Sequence, residues 1–593
     1  MNVVGINAFH GDSAACLFVD GKLRAAAEEE RFRRIKHWAG FPSQAIKFCL
    51  NEANLTLSDI DIIAINSDKN AAKKQKIRFL LTGQASWSLI KEKLFIRKKR
   101  ASIQEYLKQE IPNQSFQGEI EWVEHHECHL ASAFFASPYD EAMVISVDGF
   151  GDFSSAAWAL GVNNELTIKD RVYFPHSLGI FYSALTQFLG FPHYGDEYKI
   201  MGLAPYGENH FVKEMDDIVK HVQDGLFQLN TDYFTHHREP VAYQWDDGLP
   251  KIATLFSDEL MSLLGSKRGK GEELTQRHMD IAHSVQNAYE RAFFHMINHA
   301  QQKTGASNIA IAGGCGMNSV ANGKIATQSD YHNSYIQAAA GDAGGAIGAA
   351  MIASKRNGLP VREPMQHAYW GPHFSADDIQ DAVTRNAERF NQEQCFITHA
   401  ENDQQLYQIV VGCILRGGVV GWFQGAMEWG PRALGNRSII CDPRRDDMKD
   451  ILNQKIKRRE SFRPFAPSIL RDQVNEWFEI DDDVPFMMKV FPIKKDKRKQ
   501  LLAVTHMDGS GRLQTVTKES NSRYYGLIQH FFESTGVPII LNTSFNENEP
   551  VVCQPQEAID CFLRTEMDML VLGDVIISRS DVSVKLSSGK SHD

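Results

Sequence analysis

The sequence predicts an α/β protein in two domains, and three observations carry that expectation. The chain has 593 residues, too many for one hydrophobic core. Short apolar runs recur, at Val3-Val4-Gly5-Ile6, Val144-Ile145-Ser146-Val147, Ile309-Ala310-Ile311-Ala312 and Val419 to Phe423. They read as buried strands, and each ends in a polar or glycine-bearing turn. Lys355 to Pro364 is basic, holds Gly and Pro, and lacks periodicity. It reads as the boundary, giving domains 1–358 and 365–593.

Taken in order, Asn2 to Asn7 reads as a strand, His10-Gly11-Asp12-Ser13-Ala14 as a polar turn and Ala15 to Val19 as a second strand. Asp20-Gly21 is a tight hairpin turn and Leu23 to Ala27 a third strand. Strand, polar turn, strand is how a phosphate-binding hairpin is built in the actin, hexokinase and Hsp70 class of ATP-binding folds. The charge run Glu28-Glu29-Glu30-Arg31-Phe32 with Lys36-His37 is either a solvated face or an orienting group for a polar substrate. Ala71 to Glu110 mixes Lys and Arg with Leu, Ile and Phe. It reads as amphipathic helix, a surface insert or a lid.

The chemistry is densest from Glu124 to Ser154. A helix over Val123 to Ala136 places His125 and His129 on one face, one turn apart, within reach of one ion. Asp148 stands where the next strand meets Gly149-Phe150-Gly151, a turn whose N–H groups are free to face phosphate. Two imidazoles and a carboxylate suit iron, zinc or manganese. There is no His-Glu-x-x-His, so a metalloprotease has no support. Further on, Ser177 to Gly207 is dense in Gly and Pro and reads as an ordered loop, with Lys199 able to meet phosphate or developing negative charge. Phe211 to Leu264 reads as a variable insert near the substrate. Gly313-Gly314-Cys315-Gly316 followed by Asn318 forms a strand–glycine–helix cradle for a nucleotide or anion, with a spacing that is not GxGxxG. Asp342 opens a helix of small residues, Ala346 to Ser354, and serves as a fourth metal ligand or as its N-cap.

The second domain holds cations in Gly/Pro-rich backbone. Gly430-Pro431-Arg432-Ala433-Leu434-Gly435-Asn436-Arg437-Ser438 is followed by Lys455, Lys457, Arg458 and Arg463, and later by Asn542-Thr543-Ser544-Phe545-Asn546. Guanidinium forks set among Trp429, Leu434, Phe462 and Phe465 suit phosphate or carboxylate. The amides and hydroxyls of Asn542, Thr543, Ser544 and Asn546 suit a ribose, phosphate or carbamoyl group.

Composition narrows the classes. Net charge is −11, which argues against broad nucleic-acid binding. The nine cysteines are scattered without CxxC and read as reduced thiols of a cytoplasmic protein. The start of the chain lacks a signal-peptide pattern. Tyr335 to Ser354 is apolar but contains Asp342, so no membrane span is expected. Nothing decides between a monomer and a homodimer.

Taken together, Glu28-Glu29-Glu30-Arg31-Phe32, His125-His126-x-x-His129, Lys199-x-Met201-Gly202-Leu203-Ala204, Gly313-Gly314-x-x-x-Asn318, the Gly430-to-Ser438 motif, Phe462-Arg463-Pro464-Phe465-Ala466-Pro467 and Asn542-Thr543-Ser544-Phe545-Asn546 resemble the O-carbamoyltransferases of antibiotic and nodulation-factor biosynthesis. The resemblance spans nearly the whole chain. It implies an actin-like ATPase (Kae1-like) N-terminal domain, similar to the tRNA threonylcarbamoyl-transfer protein, and a YrdC-like α/β C-terminal domain. It implies ATP and carbamoyl phosphate as co-substrates, carbamoyl-adenylate as intermediate, and transfer to a hydroxyl of a small secondary metabolite. It also implies a divalent metal, typically Fe2+, on His125, His129, Asp148 and Asp342. His10 becomes the base for the acceptor hydroxyl, with Lys199, Arg432 and Arg463 as further catalytic groups. Gly149, Gly151, Gly313, Gly314, Asn318, Arg437, Lys455 and Lys457 become nucleotide or carbamoyl-phosphate contacts. The usual His-Asp-Ala-Ser-Ala reads His10-Gly11-Asp12-Ser13-Ala14 here, which puts the task of the carboxylate in question. The rival readings are a tRNA-modifying threonylcarbamoyl enzyme, disfavoured by the acidic charge, and a nucleotide-binding module without turnover.

Overall fold

In the computed structural model, which describes residues 1–81, 103–239, 248–250, 252–460 and 462–580, the first apolar run is a buried strand, β1 (Asn2–Asn7). It turns back as β2 (Ala14–Val19) and again as β3 (Lys22–Glu28). Asp20 and Gly21 both take positive φ, the backbone that suits a two-residue hairpin. β4 (Ile62–Asn66) and β5 (Glu119–Val123) complete the sheet in the order β3-β2-β1-β4-β5. The first three strands pair antiparallel and β1-β4-β5 pair parallel.

A second sheet repeats this plan. It contains β6 (Glu141–Gly151), β7 (Ser154–Val162), β8 (Glu165–Tyr173), β9 (Asn308–Ala312) and β10 (Asn333–Ile336), in the order β10-β9-β6-β7-β8. Again three strands are antiparallel and the rest parallel. Two sheets of one strand order make the first unit, Met1–Met365, an actin-like duplicated α/β fold.

Helices α1 (His125–Phe134), α2 (Leu178–Phe188), α3 (Gln276–Thr304) and α4 (Gly344–Arg356) pack on these sheets. α1 follows the fifth strand of the first sheet and α4 the fifth strand of the second. The small residues of α4 let it lie against the backbone of α1. A Cβ at Gly348 would sit 1.8 Å from the carbonyl oxygen of Cys128.

One expectation is corrected here. Ser177 to Gly207 is not a loop throughout: α2 and the helix Glu197–Leu203 occupy much of it. Ser177 starts α2 by accepting from the backbone N–H of Ile180. The basic segment begins with the helix Lys73–Leu81 and closes with Ile103–Glu110. Its middle, 82–102, lies outside the described residues, as do 240–247 and 251 of the later insert.

The second unit, Gln366–Asp593, is built on one mixed sheet. Its strands are β11 (Phe396–His399), β12 (Val420–Phe423), β13 (Arg437–Cys441), β14 (Ala466–Leu470), β15 (Lys489–Pro492), β16 (Ser510–Val516), β17 (Ile539–Ser544), β18 (Met569–Leu572) and β19 (Val575–Ser578). They run in the order β11-β19-β18-β12-β13-β17-β14-β16-β15. The centre, β13-β17-β14, is antiparallel and sets Ile440 and Ala466 on either side of Asn542. The core is continuous across the sheet and its helices.

Candidate functional site

In the first unit the ends of β5, β6 and β10 converge. Glu124 accepts from the N–H groups of His126 and Glu127, which fixes the start of α1 and sets His125 at its first position. His129 lies one turn on. Their Nε2 atoms are 3.0 Å apart. Asp148 Oδ2 stands 3.3 Å from His125 and 3.0 Å from His129, and Asp342 Oδ1 is 3.5 Å from each. Ligand atoms roughly 2.1 Å from one ion are about 3.0 Å apart at a right angle and about 3.4 Å apart at the tetrahedral angle. The four side chains therefore have the spacing and the donor set of a mononuclear site for iron, zinc or manganese. Asp342 is not the N-cap of α4; Ala343 holds that position.

Burial disfavours charge on these groups. The two imidazoles nevertheless hold Asp148 well below the usual carboxylate range. Asp342 is pushed up, first by burial and then by Asp148. Burial would lower His129, but Asp148 and Asp342 carry it up to about 9.

Glycines shape the site. A Cβ at Gly151 would sit 1.9 Å from His125 Cδ2, so only glycine lets the imidazole lie against the strand end. Gly149 and Gly314 donate their N–H groups to Asp148 Oδ1 at 2.7 and 3.2 Å, so both orient this carboxylate. Gly313 has φ +87°, and a Cβ there would meet the Val147 carbonyl oxygen at 2.2 Å. Asn318 caps the short helix Ser319–Gly323 and exchanges two hydrogen bonds of 3.0 Å with Gln286.

His10, on the β1–β2 turn, brings its ring to 5.5 Å from that of His125. A Cβ at Gly11 would lie 2.4 Å from Tyr194 Oη, so a larger residue there would have to displace the end of that side chain. Asp12 bonds His37 Nδ1 at 2.7 Å. Lys199 is held in an ion pair with Asp196 at 2.8 Å, above the ring of Phe191.

In the second unit the Gly430-to-Ser438 loop is anchored by Glu428, which the sequence reading passed over. One of its oxygens accepts from the backbone N–H of Leu434, Asn436 and Arg437 at 2.7, 2.8 and 3.1 Å. The loop presents Arg432 to Arg463 and to Arg512 of β16. Burial and then Arg463 lower Arg432 to about 10. Arg512 is lowered well below the ordinary range by burial, then by Arg432, Arg459 and Arg463. Arg459 stacks on Phe465, 4.2 Å from the ring centre. Among the described residues neither Arg432 nor Arg512 has a carboxylate partner, and the Nε of each is buried without an acceptor. Arg463 pairs with Glu460 at 3.5 Å, and the four guanidiniums together have the charge and donor geometry to bind an anion. Arg459 and Arg512 were not among the expected residues.

The other expected groups divide. Arg437 is fully buried, stacks on Phe423 and donates to the carbonyls of Gln424, Gly425, Asn436 and Pro372, so it braces the loop. Lys455 and Lys457 lie on a π-helical turn, Asn453–Lys457, a distortion common at functional sites. Lys455 faces Asp568 at 3.5 Å. Lys457 is buried and donates to the carbonyls of Ser544 and Asn546 at 2.6 and 2.7 Å. Asn542 donates to Ala433 O, Ser468 Oγ and Gln514 Oε1, and its own oxygen has no partner among the described residues. Thr543 and Ser544 are half-buried beside it.

A family model described as carbamoyltransferase N-terminus matches residues 2–351, and one described as carbamoyltransferase C-terminus matches residues 411–579. The chain belongs to the carbamoyltransferase family. This carbamoyltransferase is 39% identical to an uncharacterised protein of Synechocystis, over 98% of this chain and 97% of that one. It is 37% identical to the nodulation protein NolNO of Sinorhizobium fredii, over 97% of this chain and 80% of the relative. It is 25% identical to the 3'-hydroxymethylcephem-O-carbamoyltransferase of Amycolatopsis lactamdurans, over 77% and 80%. Among solved structures, component A of the (R)-2-hydroxyglutaryl-CoA dehydratase of Acidaminococcus fermentans is similar over 60% of this chain and 98% of that one, with a TM-score of 0.32 and 14% identity.

Proposed function

We propose that this carbamoyltransferase is ATP-dependent and works in two steps, one in each unit. In the second unit, a YrdC-like domain on this reading, water cleaves carbamoyl phosphate to phosphate, carbamate and a proton. The carbamate oxygen attacks the α-phosphorus of ATP, and pyrophosphate leaves with the electron pair of the broken P–O bond. In the first unit a hydroxyl of a small secondary metabolite attacks the carbamoyl carbon, AMP leaves, and the hydroxyl proton passes to a base.

The observation that carries the reading is the cluster of Arg432, Arg459, Arg463 and Arg512. Two anionic substrates repel each other in water, and fixed cations in a partly buried site remove that repulsion. Lys457 is bonded to Ser544 and the Asn542 amide to Ser468, so these groups brace the sheet, while Asn542 Oδ1 is an acceptor without a partner among the described residues. In the first unit His10 is the group placed to take the hydroxyl proton at a ring nitrogen. His125, His129, Asp148 and Asp342 would hold the divalent metal, Fe2+ on this reading. A metal there supplies a Lewis acid for the adenylate phosphate. The name of the cephem relative, an O-carbamoyltransferase, supports a hydroxyl acceptor. The nine free thiols accord with a cytoplasmic enzyme, and among the described residues no helix is long and apolar enough to cross a membrane.

The test is pyrophosphate release from ATP without any acceptor. Release that requires carbamoyl phosphate is expected. Release that ignores carbamoyl phosphate, or none from an ATP-bound protein, would overturn the adenylating step.

A further inference from the structure

β16 gives one of its faces to the guanidinium cluster. Ser510, Arg512 and Gln514 are two residues apart, so their side chains leave the strand on the same side. Gln514 Nε2 donates to the carbonyl of Leu434 at 2.8 Å, on the loop that carries Arg432. Arg512 joins Arg432, Arg459 and Arg463. Ser510, at the start of that face, holds a histidine that the proposed chemistry does not use. His506 lies on the turn before β16. Its backbone N–H donates to the Ser510 carbonyl at 2.8 Å, and its carbonyl accepts from Gly509 at 2.9 Å. On the other side of the turn, Lys449 Nζ donates to the carbonyl of Thr505 at 2.9 Å.

The hydrogen bonds of the turn assign the proton on the ring. Ser510 Oγ donates to Asp508 Oδ1 at 2.6 Å, and the Ser510 backbone N–H donates to the same oxygen at 3.0 Å. A serine hydroxyl has one proton to give. Its oxygen also lies 3.2 Å from His506 Nδ1, so Nδ1 carries the hydrogen and donates it to Oγ. Nε2 keeps its lone pair. The residue as a whole is half-buried, but Nε2 is buried and has no partner among the described residues. Buried polar groups are otherwise almost always paired. Burial lowers this imidazole to about 4, with Asp508 opposing the shift and Arg512 and Lys449 adding to it. The ring is therefore neutral near pH 7, and Nε2 is an acceptor there.

An acceptor is what the cluster lacks. A guanidinium offers five N–H donors and no acceptor. Four of them suit the oxygens of a phosphate, but they cannot serve the amino group of a carbamoyl phosphate, which brings two N–H donors of its own. We propose that His506 is a specificity-determining residue of the second unit, whose Nε2 accepts an N–H of the carbamoyl group and so selects carbamoyl phosphate over acyl phosphates that carry a methyl group in its place. A methyl group of the same size would leave Nε2 buried and unpaired, and a site built to bond an N–H rejects the analogue that lacks it. Ser510 and Asp508 are positioning residues, since they hold the tautomer. The inference rests on the carbamoyl-phosphate reading of this unit, but it is measured by binding alone.

The experiment is isothermal titration calorimetry on the full-length protein without ATP, with carbamoyl phosphate, acetyl phosphate and inorganic phosphate as probes. The wild-type protein should bind carbamoyl phosphate about 10- to 100-fold more tightly than acetyl phosphate, the range set by one unpaired buried acceptor. His506→Asn keeps an amide where Nδ1 bonds Ser510 and offers nothing at the place of Nε2. It should bring the two Kd values together and leave that of inorganic phosphate unchanged. His506→Gln returns an amide oxygen to the place of Nε2 and should restore the preference. Arg512→Met, in contrast, should weaken all three ligands alike. Circular dichroism and Tm establish that each variant is folded, and His506→Leu takes the place of His506→Asn if that variant is not. Equal binding of the two acyl phosphates by the wild-type protein would overturn the assignment. So would a preference that survives in the folded variant, which would give the task to another acceptor such as Asn542 Oδ1. Equal weakening of all three ligands would reduce His506 to a support for Arg512. Pyrophosphate release by the wild-type protein keeps the two ideas apart. Release without the binding preference removes this assignment alone, and a preference that depends on His506 without release keeps it and removes the adenylating step.

Discussion

Burial lowers the affinity of the Arg512 guanidinium for its proton, and Arg432, Arg459 and Arg463 lower it further. Like charges collected out of water oppose folding unless an anion joins them. Function and stability should therefore part at this residue. Arg512→Met keeps the length and removes the charge. Carbamoyl-phosphate-dependent pyrophosphate release should fall by about 10² to 10³-fold, while Tm stays level or rises. A large fall in Tm with release retained would make Arg512 a structural residue. Arg432 and Arg463 were legible in the sequence because glycine and proline around them announce a shaped loop. Arg512 was not, because it sits inside β16 and its partners arrive from two other segments. His125, His129 and Asp148 were legible from helical spacing and a strand end. Asp342 stayed open between ligand and cap until the start of α4 was seen to be Ala343.

The packing of α4 on α1 is the element-scale support of the candidate metal-ligand cluster. Gly348→Ala places a methyl group 1.8 Å from the Cys128 carbonyl oxygen, and that backbone cannot yield without moving α1. A loss of about 1–3 kcal/mol is expected from such overpacking, together with less metal bound per chain, read by thermal unfolding and by metal analysis of the purified protein. Unchanged metal content would separate the helix contact from the site. The β1–β2 turn has its own clasp, Asp12 to His37. Burial would lower the His37 imidazole, but Asp12, with Glu30 and against Lys36, raises it from 6.5 to about 9. A group raised on folding stabilises fully below its unfolded value and ceases to do so as pH climbs through its folded value. His37→Gln should therefore lower Tm more at about pH 6 than at about pH 9.5. Equal losses at both would show that the pair is uncharged. At this scale the strands of both units were legible because they are short, apolar and ended by turns. The helix α2 was not: Gly179 sits in its first turn and Gly190 just beyond its end, so punctuation at its borders masked the eleven-residue helix.

The duplicated plan of the first unit could not be read from the chain, since the repeat lies in strand order and not in residues. Asn2–Asn7 and Glu141–Gly151 share only apolar character, and pairing across distant segments creates the likeness. The whole molecule sets a site rich in anionic ligands in one unit and a site rich in guanidiniums in the other. The first suits a metal and a transfer step, the second the joining of two anions, so single substitutions should split the activity cleanly. Arg432→Ala should abolish carbamoyl-phosphate-dependent pyrophosphate release and keep transfer from supplied carbamoyl-adenylate. His129→Ala should release pyrophosphate normally and transfer nothing, because removing one imidazole opens the candidate metal-ligand set and leaves the guanidiniums of the second unit unaltered. Both variants are to be assayed for both half-reactions, with the carbamoylated acceptor and pyrophosphate measured separately. If His129→Ala loses release while transfer from the adenylate survives, the assignment of steps to units is reversed, and the arginine cluster must be serving the acceptor side.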